Sequence, residues 1–161
     1  MRRIASSTIT PLALALIATL AVAGCASKKV PNSAADLGLN AATPGSAQDF
    51  TVNVGDRIFF DTDSSSIRAD AQQTLTKQAS WLNQYGNYAI TIEGHADERG
   101  TREYNIALGA RRASVVVNYL VSRGVNQQRI TSQSFGKERP VAICNDISCW
   151  SQNRRAVTVV Q

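Results

Sequence analysis

The chain of 161 residues holds one histidine and one methionine, and aromatic side chains make up only 6% of it. A lone imidazole lacks by itself the further ligands that a zinc site needs. Four prolines and ten glycines exclude collagen-like and proline-rich fibrous sequences. No apolar run reaches the roughly 20 residues of a membrane-spanning helix. Charged residues at 18% and hydrophobic ones at 43% exclude wholesale disorder and a polytopic membrane protein. A net charge of +5 invites a nucleic-acid reading, but no aromatic interleaving and no nucleic-acid module accompany Arg111, Arg112, Arg154 and Arg155. These arginines read as salt-bridge formers or as contacts to a partner or glycan.

What is present begins with Arg2 and Arg3, followed by an apolar run from Pro11 to Ala23 whose one polar member is Thr19. That pattern fits the core of a secretory signal peptide. It ends Val22-Ala23-Gly24-Cys25, which resembles the bacterial lipobox. The alternative is an ordinary signal whose exit contains a cysteine. On the lipobox reading residues 1–24 are removed, and Cys25 takes a diacylglycerol and an N-acyl chain. Loss of Arg2 and Arg3 lowers the net charge from +5 to +3. Two or more acyl chains anchor a protein stably, whereas one does so marginally. Ala26 and Ser27 follow the cysteine with no aspartate, so by similarity to sorted lipoproteins the expected address is the outer membrane, with the domain facing the periplasm.

Residues 25–49 carry the lipidated cysteine and then small and polar residues without an apolar period, a flexible linker. Stretched, the 24 residues after Cys25 reach about 80 Å. A globular domain is expected over 50–161. Val52 and Val54 alternate with polar residues, and Ile58-Phe59-Phe60 is a short strand signal. Asp61 to Ser66 offers turn and N-cap residues. Ala71, Leu75, Gln78, Ala79 and Leu82 recur at helical spacing, and Gly86 stops that helix. Ala89 to Gly94 reads as a strand, 103–123 as a helix capped by Gly124, and Ile130 to Phe135 and Ala156 to Val160 as further strands. This alternation predicts an α/β (α+β) sandwich with two main helices packed on a small sheet.

The chemistry concentrates in Gly94 to Asn105 and the helix after it. Asp97 follows a strand and precedes a helix N-terminus, a position suited to polar ligands. Asn105 and Arg112 lie seven residues apart, two helical turns, and so share a face; Arg111 points 100° away. An aspartate and an arginine facing one another suit a zwitterion: Asp97 accepts from an ammonium while Arg112 forks onto a carboxylate. A structural ion pair tying loop to helix remains the alternative. His95 reads as a structural hydrogen-bonding residue, because no further metal ligand and no nucleophile accompany it. Asp61 and Asp63 read as turn formers, and Trp81 and Trp150 as packing residues. Cys144 and Cys149 read as a disulfide closing a small loop in an exported protein; free thiols or half a metal site are the alternatives.

The run Gly94 to Asn105, then Leu108-Gly109-Ala110-Arg111-Arg112-Ala113, resembles the OmpA-like peptidoglycan-binding family, in its lipid-anchored branch. Phe59-Phe60-Asp61, Ser134 to Pro140 and Gln152-Asn153-Arg154-Arg155-Ala156-Val157 match as well. The resemblance covers about residues 55–160. It implies a βαβαβ-β domain with a mixed sheet that grips the meso-diaminopimelate of peptidoglycan stem peptides and is not an enzyme. Asp97 and Arg112 match the ligand-binding positions, and Phe60, Asp61, Thr101, Asn105 and Leu108 the pocket walls. No cofactor is implied beyond the acyl groups on Cys25. The implied partners are peptidoglycan and a periplasmic Tol propeller protein, TolB, with a role in envelope constriction during cell division.

One prediction follows from the amino terminus. Cys25→Ser removes the only thiol that can take a thioether-linked diacylglycerol. The variant is expected to leave the membrane fraction or to persist as the unprocessed precursor. Fractionation and gel mobility check this, and unchanged behaviour contradicts the lipobox reading.

Overall fold

The computed structural model describes residues 42–161. The signal peptide over 1–24, Cys25 and the linker as far as residue 41 lie outside the described residues. Within them no helix is long and apolar enough to cross a membrane.

Order begins ahead of Phe50. Ser46 caps a short helix, α1 (Ala47–Asp49), which runs on as a wider turn over Phe50–Gly55. The strand expected from Val52 and Val54 is therefore a helix. Val52 is 67% exposed, so its alternation with polar neighbours has no sheet to join. Tertiary anchors decide instead. Phe50 packs on Trp81 with ring centroids 4.9 Å apart, and Asp49 accepts from Trp81 Nε1 at 2.9 Å and Asn53 Nδ2 at 2.8 Å.

The remaining elements follow the expected alternation apart from an added short helix, α4, before the last strand: β1 (Arg57–Phe59), α2 (Ala69–Gln84), β2 (Ile90–His95), α3 (Arg102–Ser122), β3 (Ile130–Gly136), α4 (Ile147–Asn153) and β4 (Arg155–Val160). The sheet order is β1-β4-β2-β3. β4 is antiparallel to both β1 and β2, and β2 pairs with β3 in parallel. The parallel pair requires a crossover, and α3 supplies it. The expected sandwich of two main helices on a mixed sheet is what forms.

Helical spacing in α2 buries Ala71, Leu75, Gln78, Ala79 and Leu82, and the apolar four of these join Ile58, Ile90, Ile92, Val116 and Leu120 in one core. Gln78 is fully buried yet satisfied: Nε2 donates to Gly55 O at 2.6 Å, and Oε1 accepts from Thr158 Oγ1 at 2.8 Å.

α4 was not legible. The Cys144–Cys149 disulfide lies across its start, and Asp146 caps it by accepting from Ser148 N at 2.7 Å. Asn153 then ties it to the preceding loop, accepting from Val141 N at 2.8 Å and donating to Ala142 O at 2.8 Å.

The contact that positions everything else is between two glycines. Gly94, near the end of β2, touches Gly109 in the middle of α3: a Cβ on Gly109 would lie 2.8 Å from Gly94 O and would also collide with Ser134 Oγ. The helix thus rides directly on the sheet backbone. Helix propensity alone favours Ala over Gly by about 1 kcal/mol. Here the obstacle is backbone, which cannot rotate away, and overpacking of that kind typically costs about 1–3 kcal/mol. Gly109→Ala is therefore expected to destabilise the chain by a net of up to about 2 kcal/mol. Urea unfolding checks the sign; a stabilised variant contradicts the close-approach account.

Candidate ligand-binding site

Past the carboxyl end of β2, the loop after β1, the turn after β2 and the first turns of α3 enclose a cleft of ≈ 250 Å³. Its lining includes Asp97, Asn105, Leu108 and Arg112 from the sequence-derived set, with Thr62, Asp63, Arg99, Gly100 and Tyr104 beside them.

Arg112 forms one wall. It is fully buried, whereas its neighbour Arg111 is exposed, so the helical-face assignment matches the geometry. Its Nε donates to Ser64 O at 2.9 Å, Nη1 to His95 O at 2.8 Å and Nη2 to Asp61 O at 3.1 Å. The guanidinium lies 5.1 Å over the Phe60 ring. Every one of these acceptors is a neutral carbonyl. Among the described residues no carboxylate forms a salt bridge with Arg112. Burial, reinforced by the positive charge of Arg154 and opposed by Asp97 and Asp63, pushes its pKa down to about 10. It still carries its charge at neutral pH. Of its five N–H groups, three point at carbonyls.

Asp97 stands opposite and is 7% exposed. Contrary to the expectation of an aspartate free for a ligand, it is fully engaged. Oδ1 accepts from Arg99 N at 3.2 Å and Arg99 Nε at 3.0 Å. Oδ2 accepts from Arg99 Nη2 at 2.7 Å and Arg154 Nη1 at 3.2 Å. Burial alone would raise the Asp97 pKa; the Arg99 and Arg154 bonds outweigh it and hold the carboxyl below its ordinary value of 3.8. Asp97 and Arg112 make no direct bond, so neither is the structural ion-pair partner of the other. The ion-pair partner is Arg154, which caps the end of α4 just before β4, 57 residues away in sequence.

Asn105 is 2% exposed. Its Nδ2 donates to Arg99 O at 2.7 Å and Thr101 O at 3.0 Å, leaving Oδ1 for the cleft. Three expected wall residues act differently. Thr101 caps α3, its Oγ1 accepting from Tyr104 N at 3.2 Å. Phe60 lies beneath Arg112 and lines a second cleft of ≈ 260 Å³. Asp61 contributes its carbonyl to Arg112, while its carboxylate accepts from Arg68 Nη1 at 3.2 Å. Tyr104, which the sequence reading passed over, closes the far rim by donating to Asp63 Oδ1; Asp63 takes the left-handed φ of 55°. Trp150 is more than packing. Its ring lies 4.3 Å from the Arg99 guanidinium, and its Nε1 donates to Glu98 Oε1 at 2.7 Å. The disulfide-bounded segment thus reaches the cleft rim.

His95 does not hydrogen-bond through its ring, contrary to expectation. Neither buried ring nitrogen makes a hydrogen bond, although Glu93 Oε2 lies 3.5 Å from Nε2, and the ring stacks on Phe135 at 5.5 Å. Its carbonyl, not its imidazole, serves the site. Among the described residues no cluster of His, Cys, Asp and Glu could hold a metal ion.

The chain is similar to several known proteins. A model of the OmpA family matches residues 59–154. A peptidoglycan-associated lipoprotein from Mesorhizobium japonicum is 72% identical over 163 residues, covering 99% of this chain and 97% of that protein. One from Rhizobium meliloti is 73% identical over 153 residues, covering 93% and 87%. The crystal structure of the peptidoglycan-associated lipoprotein from Burkholderia pseudomallei superposes with a TM-score of 0.68 at 38% identity, covering 72% of this chain and all of that one. The C-terminal domain of Helicobacter pylori MotB shares the fold, with a TM-score of 0.62 at 22% identity and coverage of 66% and 84%.

The buried imidazole makes stability depend on pH. Desolvation, then the positive charges of Arg155 and Arg139, push the His95 pKa down from 6.5 to about 4. The unfolded chain takes up this proton first, so stability is complete above pH 6.5 and falls as pH drops toward 4. Between pH 7.5 and 5 the expected loss is up to about 2 kcal/mol, lessened by the Glu93 carboxylate 3.5 Å from Nε2. His95→Phe forfeits no hydrogen bond and is expected to flatten this dependence in denaturant unfolding. An unchanged slope contradicts the assignment.

Proposed function

The chain belongs to the OmpA family, and from that premise we propose that its cleft holds the meso-diaminopimelate residue of peptidoglycan stem peptides without covalent chemistry. The observation that carries this reading is Arg112: a fully buried guanidinium whose acceptors are all neutral carbonyls, set in the wall of an open cleft. A buried charge is normally paired or compensated. A ligand carboxylate is the group that compensates it, and a guanidinium fork binds carboxylates in two parallel bonds.

Asp97 then takes the ammonium at the same end of the diaminopimelate side chain, Asn105 Oδ1 accepts from a second N–H, and Leu108 lies along the methylenes. Phe60, Asp61 and Thr101 hold this arrangement in place from behind. Nothing in this scheme breaks a bond. The names of the relatives, peptidoglycan-associated lipoproteins, support the same ligand class and an anchoring role in the cell envelope. With a lipidated Cys25 in the outer membrane and the domain in the periplasm, the chain links that membrane to the wall. By similarity to the Tol–Pal system its protein partner is a TolB-like propeller, and its work is envelope constriction at division.

Three matched soluble peptides test the ligand assignment by calorimetry. A free diaminopimelate side chain offers both charges. A cross-linked one has turned its amine into a neutral amide, so Asp97 faces an uncharged group. A lysine-type peptide keeps the ammonium but lacks the carboxylate, which leaves Arg112 uncompensated. Each lost charged contact is expected to weaken binding about ten-fold or more, since 1.4 kcal/mol is already ten-fold. Equal affinities for the three peptides contradict the zwitterion reading.

A further inference from the structure

An ionised carboxylate has about four acceptor positions, and on Asp97 four donors already occupy them. A ligand ammonium can bond there only if a donor leaves. One donor is the backbone N–H of Arg99, fixed by the turn. Another is Arg154, 6% exposed and also held through Nε to Phe60 O at 3.1 Å. The remaining two belong to the Arg99 side chain, which is 40% exposed. Among the described residues, the only polar side-chain contact its guanidinium makes besides Asp97 is with Thr62 Oγ1, at the long distance of 3.5 Å.

We infer that Arg99 is an internal stand-in for the ligand ammonium, seated on Asp97 until a ligand cation displaces it. This rests on the diaminopimelate reading above and deepens it. Arg99 places a cation where the ligand would place one. In the empty cleft it shares the Asp97 carboxylate with Arg154. On displacement it has an alternative seat, because its guanidinium already lies 4.3 Å from the Trp150 ring with the Glu98 carboxylate alongside, bonded to that same indole. The chain therefore selects for the ammonium by competition: a ligand must offer Asp97 a better-placed cation than Arg99. A neutral ligand leaves Arg99 in place and forgoes that contact.

The sign of one substitution separates a competitor from a ligand-holding residue. The full chain, purified in detergent, is titrated with the soluble tripeptide L-alanyl-γ-D-glutamyl-meso-diaminopimelate, its side-chain amine either free or acetylated. An exposed ion pair contributes up to about 1 kcal/mol, so Arg99→Ala is expected to bind the free-amine peptide about five-fold tighter than the unaltered chain. Arg99→Lys, which keeps a competing cation, is expected to stay near the unaltered affinity. The acetylated peptide is expected to gain nothing from either change. Thermal melts of both variants report on the fold, and the lysine variant preserves the charge if alanine perturbs it. Weaker or equal binding of the free-amine peptide by Arg99→Ala, with the unaltered chain binding it, overturns the competitor reading alone. No binding by any of these chains overturns the diaminopimelate reading as well.

Discussion

The site is organised around a positive charge that the fold removes from water without giving it a negative partner. Arg112 is fully buried and bonded to the carbonyls of Asp61, Ser64 and His95. Those bonds do two things. They join the loop after β1 to the end of β2 and to α3, so the cleft walls are one hydrogen-bonded unit. They also hold the guanidinium rigidly while leaving its charge uncompensated. Surface ion pairs contribute only about 0–1 kcal/mol, and a buried charge without a carboxylate costs stability. An arrangement of this kind makes sense as preorganisation for an anion.

Preorganisation depends in turn on how closely α3 lies on the sheet. Gly94 and Gly109 meet backbone to backbone, and that contact sets the height of the helix over β2. Asn105 lies one turn before it, with Leu108 adjacent and Arg112 almost one turn after. The Thr101 cap starts α3 where Asn105 can hold the 97–101 turn. α4, carrying Trp150, closes the rim under Arg99. Charge, helix height and turn geometry are thus coupled: moving α3 outward by the width of a methyl group would separate Arg112 from its three carbonyls.

Much of this was legible in the residues. The seven-residue interval from Asn105 to Arg112 identified the inward arginine, because helical periodicity is a local property. The spacing in α2 identified its buried face, including Gln78. Pattern failed where a tertiary contact overrode it. The Val52 and Val54 alternation reads as strand, but Phe50 and Asp49 are tied to Trp81, and a helix wins. Likewise α4 has no apolar period of its own; a disulfide, an aspartate cap and Asn153 build it. The Arg154 donor on Asp97 could not be seen either, since Arg154 arrives from the end of α4, 57 residues away in sequence. His95 read as a hydrogen-bonding residue by its chemistry, yet its buried nitrogens make no hydrogen bond; only three-dimensional packing against Phe135 and the neighbouring arginines decides that.

The most direct test is a crystal structure of the chain with a soluble diaminopimelate-containing stem peptide. The account predicts the side-chain carboxylate of diaminopimelate within hydrogen-bond distance of the Arg112 guanidinium, and the ammonium at the same end of the residue on Asp97. A peptide bound elsewhere, or one seated in the cleft with Arg112 still bonded only to the carbonyls of Asp61, Ser64 and His95, would contradict it.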